Sequence, residues 1–116
     1  MMENFKQSQE LGKKTATLLA DLSSSTVEGT AANGKVRVYF DGQQHPMGVE
    51  MDPEYLQRLL RVGEGGSESN SGFEDLNEAV TVAMQDAHAK SVALMDEKMR
   101  DLYSDLGLPP SSINKS

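Results

Sequence analysis

The chain has 116 residues, enough for one domain with a modest core. It carries 11 Lys and Arg against 18 Asp and Glu, a net charge of −7, which excludes uniformly positive polyanion binding and requires any basic patch to stand apart from the acids. Cys is absent and the two histidines, His45 and His88, fit no metal-ligand pattern, which excludes disulfides and a Cys nucleophile and leaves no cofactor or metal expected.

Residues 3–22 read as a helix, with Phe5, Leu11, Leu18, Leu19 and Leu22 at loosely helical spacing and a serine run, residues 23–25, to end it. Residues 26–31 read as a first strand, and Asn33-Gly34 as the turn into a second. In that second strand Val36, Val38 and Phe40 alternate with Lys35, Arg37 and Tyr39. Asp41-Gly42 is a short hairpin signal leading to a third strand, where Met47, Val49 and Met51 share a face. The expectation is an antiparallel sheet with one covered face, since so small a sheet is not stable alone.

Asp52-Pro53 marks a helix start, with Asp as the cap and Pro in the first turn. That helix runs to Val62 and carries Tyr55, Leu56, Leu59 and Leu60. Residues 63–72, rich in Gly and Ser, read as a flexible connector; they lack the G-x-x-x-x-G-K-[ST] pattern of a phosphate loop. A long helix follows from Phe73 to about Leu106, with Gly107 as its stop and residues 109–116 as a tail. Its apolar stripe takes in Phe73, Leu76, Val80, Ala83, Ala87, Leu94, Met95, Met99, Leu102 and Leu106.

At about 1.5 Å per residue such a helix is roughly 50 Å long, and it must overhang its own sheet. Either a second copy of the chain or the first helix running antiparallel has to bury the surplus. A homodimer is expected, with Val36, Val38, Met95, Met99 and Leu102 as candidate interface residues.

The order of these features resembles a known family. A helix precedes a meander containing V-x-V-x-x-x-G and V-E-M-D-P; a long helix follows with Asp86-Ala87-His88-Ala89-Lys90-Ser91 and ends in Met99 to Leu108-Pro109-Pro110. From about residue 5 to 112 the chain is similar to the YbaB/EbfC nucleoid-associated proteins, and from Asp86 to Pro110 most to their cyanobacterial and plastid branch. The resemblance implies a single domain, α+β and homodimeric. Its protomers would pair their sheets, extend helices outward and bind duplex DNA with little sequence preference, without catalysis. It also implies a cytoplasmic, nucleoid-associated location, or the plastid stroma for a plastid protein. The chain departs from many relatives in residues 43–48, which hold no Lys or Arg, and in a last helix more acidic than basic.

The candidate DNA contacts are Lys35 and Arg37 beside Tyr39, then Lys6, Lys13 and Lys14 on the first helix. Each has a plainer reading as part of a solvated face. His88 is expected at a helix contact and Asp52 as a cap rather than as a catalytic acid. An alternative function is a protein-interaction adaptor, for example in protein targeting, suited by the acidity and the Met- and Leu-rich helix. No apolar run approaches a membrane span, and the N-terminus lacks a signal-peptide pattern, so no membrane insertion is expected.

Overall fold

The computed structural model describes residues 2–64 and 71–107, with side chains over 8–61 and 72–107. The elements are α1 (Met2–Ser24), β1 (Thr26–Ala31), β2 (Val36–Asp41), β3 (Pro46–Met51), α2 (Pro53–Glu64) and α3 (Ser71–Asp105). The strands form an antiparallel meander in the order β1-β2-β3, giving the α+β architecture expected from the sequence. Of the glycine-rich connector, residues 63 and 64 belong to α2 and residues 71 and 72 to α3. Residues 65–70 and the expected tail lie outside the described residues.

Two cores share α3. Toward its N-terminal end, Ala79, Ala83 and Ala87 cover Val36, Val38 and Phe40. Small residues at four-residue steps let the helix lie close to the sheet. The approach is tightest at Gly29, where a Cβ would overlap the Ala83 carbonyl and the Ala87 amide. This mid-strand glycine is therefore required by the helix above it. Toward the other end of α3, Leu102 meets Leu18 and Leu22 of α1, flanked by Leu94, Met95, Met99 and Leu106. Lys98 pairs with Asp21 at 3.2 Å, which ties α1 to α3. α1 thus supplies cover for the overhanging stripe. The molecule is long, 76 × 24 × 18 Å, with a radius of gyration of 20.8 Å against about 13 Å for a compact domain this size.

The hairpin differs from its sequence signal. The loop between β2 and β3 spans residues 42–45, and its left-handed residue is Gln44, with φ 64°, rather than Gly42. Gly42 is needed for a different reason. Its N–H donates to the Leu22 carbonyl at 2.8 Å, and a Cβ would stand 2.7 Å from that oxygen. A register shift between Tyr39 and Phe40 accompanies the longer loop. The other turn lies where Asn33-Gly34 placed it, with Ala32, Asn33 and Gly34 all left-handed.

β3 is also barer than expected. Val49 pairs with Val38 and Met51 with Val36, so both point to the helix-bearing face. But α3 crosses β1 and β2 and leaves β3 uncovered. Met47 is 61% exposed and Val49 49%. Phe73, at the start of the α3 stripe, is half exposed as well.

Candidate nucleic-acid interface

Alternation on β2 brings Lys35, Arg37 and Tyr39 to the uncovered sheet face, as the sequence predicts. The neighbouring strands bring acids to the same face. Arg37 stands opposite Glu50 in the ladder, and its Nη2 donates to the Glu50 carboxylate at 3.0 Å. Lys35 pairs with Asp52 at a longer 3.6 Å. Tyr39 lies opposite Glu28. Burial first, then the charges of Glu50 and Glu28, push the Tyr39 phenol above its ordinary value. The two cations are thus outnumbered by Glu28, Glu50 and Asp52. This face is close to neutral and does not gather phosphate by charge.

On α1, Lys13 is exposed and Lys14 partly so; the Lys6 side chain lies outside the described ones. Lys13 and Lys14 line an open groove of about 450 Å³ between α1 and α3 with Thr17, Leu18, Lys98 and Leu102. Asp21, Asp101 and Asp105 line it too, so its charges balance. Arg58 and Arg61, both exposed on α2, have no prominence in the sequence; the signal is their three-residue spacing.

The run Asp86 to Ser91 turns out to hold the fold together. Asp86 Oδ2 accepts from the Thr30 amide at 3.0 Å, and Lys90 donates to the Glu28 carbonyl at 2.9 Å. These side chains, one turn apart, occupy backbone groups on the outer edge of β1. The Thr30 hydrogen bond, then Lys90, hold the Asp86 carboxyl below its usual range. His88 meets Phe40 edge-on at 6.1 Å, the helix contact expected of it. Ser91, fully buried, donates to the Asp41 carbonyl at 2.6 Å and accepts from the Gln44 backbone and side-chain nitrogens at 3.0 Å.

Asp41 anchors the same loop. Its carboxylate accepts from the Gln43 amide at 2.8 Å, the His45 amide at 2.9 Å and His45 Nδ1 at 3.0 Å. The His45 amide bond is the main cause that holds its carboxyl low. Asp52 is the α2 cap, accepting from the Tyr55 amide at 3.3 Å. Among the described residues, no group of His, Asp and Glu is arranged to hold a metal ion.

Of the residues expected at a dimer interface, Val36, Val38 and Leu102 are buried within the protomer. Val36 and Val38 are sealed beneath α3, and so have no surface to offer a second chain. Leu102 is buried against α1, with Met95 and Met99 partly buried around it. The sequence pattern marks these positions as apolar without showing which helix covers them.

Residues 1–106 match the YbaB/EbfC DNA-binding family. The chain belongs to that family. Among its relatives is a nucleoid-associated protein of Synechococcus elongatus, 36% identical over 109 residues that make up 94% of this chain and 85% of the relative. A nucleoid-associated protein of Thermosynechococcus vestitus is 37% identical over 108 residues, 93% and 80% of the two chains. One from Rhodopseudomonas palustris is 35% identical over 106 residues, 91% and 89%. The YbaB/EbfC membership covers every described element, including the docking run Asp86 to Ser91 and both cores.

Proposed function

We propose that the protein is a nucleoid-associated homodimer that binds duplex DNA with little sequence preference and performs no catalysis. The observation that carries this reading is the YbaB/EbfC match across residues 1–106. The names of the relatives, nucleoid-associated proteins in each case, support the same role and a nucleoid location. Lys13 and Lys14, together with Lys6, are proposed contacts, as is Lys35 through its loose pair with Asp52. Arg37, held by Glu50, contributes least.

The dimer is supported by an uncovered apolar trough. The trough is inferred from exposed side chains, with Met47 and Val49 of β3 as its floor and the flank of α3 carrying Met84, His88 and Val92 as its wall. These three follow at four-residue steps and share one side, the side on which His88 meets Phe40. The trough offers the same surface on each protomer, as a two-fold interface requires.

The test is gel retardation of duplex DNA across a salt series. Binding that weakens steeply with salt, and that unrelated duplex competitors relieve equally, is the expected result. Absence of retardation at low salt refutes the reading. The neutral sheet face favours a second reading, an adaptor that binds another protein. Nuclease-resistant recovery of one stoichiometric protein partner, with no DNA retardation, establishes that reading instead.

A further inference from the structure

We propose that the groove between the β1–β2 turn and α2 is a docking point for the phosphodiester backbone of duplex DNA, with Lys35 and Arg58 lining it and Arg61 beside it on α2. This rests on the DNA-binding reading above and adds a contact that the lysines of α1 do not provide.

Nine Lys and Arg side chains are described, and Lys35, Arg37, Lys90 and Lys98 are already paired with carboxylates. Lys13 and Lys14 lie in a groove shared with three aspartates. Arg100 has no ion pair among the described residues, but it stands on α3 next to Asp101, away from the groove beside α2. For Arg58 and Arg61, no carboxylate among the described residues lies within ion-pair distance. The groove beside Arg58 has a volume of about 320 Å³ and is lined by Ala32, Asn33, Lys35, Tyr55, Arg58 and Leu59. Among the described residues two cations and an amide line it, and no acid does. Among the described side chains, the acids nearby are Asp52 on Lys35, Glu54 one turn before Arg58, and Asp75 and Glu78 in the adjoining cleft beyond Tyr55 and Leu59.

The geometry suits a strand of phosphates. Arg58 and Arg61, three residues apart, are neighbours on the exposed side of α2, with their Cβ atoms about 5–6 Å apart. Each guanidinium presents a planar fork that matches phosphate oxygens. Lys35 is 44% exposed at the side chain and its pair with Asp52 is long, so it can turn toward an approaching phosphate. Asn33, exposed at the turn, adds a neutral donor. The groove also stays clear of the proposed dimer trough. Val82 lines the cleft beneath α2, whereas Met84 lines the trough, and a two-residue step puts them on opposite sides of α3.

The experiment is the retardation titration across a salt series with four full-length proteins: wild type, Arg58→Ala/Arg61→Ala, Arg58→Lys/Arg61→Lys and Lys13→Ala/Lys14→Ala. The alanine pair at Arg58 and Arg61 is expected to bind at least about ten-fold more weakly at low salt. Its slope of log affinity against log salt falls by about 0.9 for each phosphate that is no longer neutralised. The lysine pair keeps the wild-type slope, because the charge is retained. Both arginines are exposed, so far-UV circular dichroism and melting should match wild type. If the arginine-to-alanine pair binds with the wild-type affinity and slope while Lys13→Ala/Lys14→Ala does not, the docking point is refuted and DNA binding stands. If the wild-type protein itself fails to bind, the DNA-binding reading and the docking point fall together.

Discussion

Asp41 collects three hydrogen bonds at the hairpin loop, and Asp86 collects one backbone amide and one ammonium at the edge of β1. Both carboxyls are held below the ordinary value because the bonds favour the charged form. The sign of the consequence follows from linkage. A group whose folded pKa is depressed contributes stability that is fully present above its unfolded pKa, about 3.9 for Asp. That stability is lost as pH falls through the folded value. Thermal melts from neutral pH downward should therefore show stability falling below about pH 4. Asp41→Asn keeps an acceptor and loses the charge. It should melt below wild type at neutral pH, and the gap should narrow in acid. A gap that stays constant across the whole range would mean that the Asp41 charge adds nothing.

At the scale of elements, α3 does the joining, and the run Asp86 to Ser91 shows how. One turn of helix blocks the β1 edge with Asp86 and Lys90, lays Ala87 on Gly29 and ties Ser91 to the hairpin loop. Ser91→Ala would leave the Asp41 carbonyl and the Gln44 amide without their partner in a buried site. The expected cost is about 1–3 kcal/mol, measurable by urea denaturation. Asp86→Ala should speed hydrogen exchange at the Thr30 amide selectively, because that donor faces outward from an edge strand. Equal protection in both proteins would show that the edge needs no cap. The elements themselves are legible in the sequence. Val36, Val38 and Phe40 alternate cleanly, Asp52-Pro53 is a cap in the structure too, and Gly107 ends α3 with φ 74°. The hairpin loop is not legible, because Asp41-Gly42 is a local signal whereas Gly42 answers a distant demand, the approach of Leu22. Gly29 and Ser91 are equally hidden, since the partner of each lies more than 40 residues away in sequence.

For the whole molecule, the long shape and the uncovered β3 strand belong together. A helix of 35 residues spans the sheet and then a second core with α1, yet it runs over only two of the three strands. Met47, Val49, Met84 and Val92 are exposed apolar side chains that a second protomer is proposed to cover. Val49→Asp places a charge there without touching either core. It should convert a dimer to a monomer in light scattering with chromatography, with the helical content unchanged. Persistence of the dimer would move the interface elsewhere.

The sequence by itself determined the element order, the inward set of β2, the overhang of α3 and the family, because periodicity, capping and turn chemistry are local and the family's order of motifs is linear. It also brought forward Lys35 and Arg37 as contacts, on charge and face alone. Only the tertiary structure decided that Glu50 and Asp52 stand across from them, that α1 packs on Met95, Met99 and Leu102, and that Arg58 and Lys35 line one groove beside the first turn. Those outcomes depend on strand register and helix placement. They are set by packing between residues far apart in the chain, which no local pattern encodes.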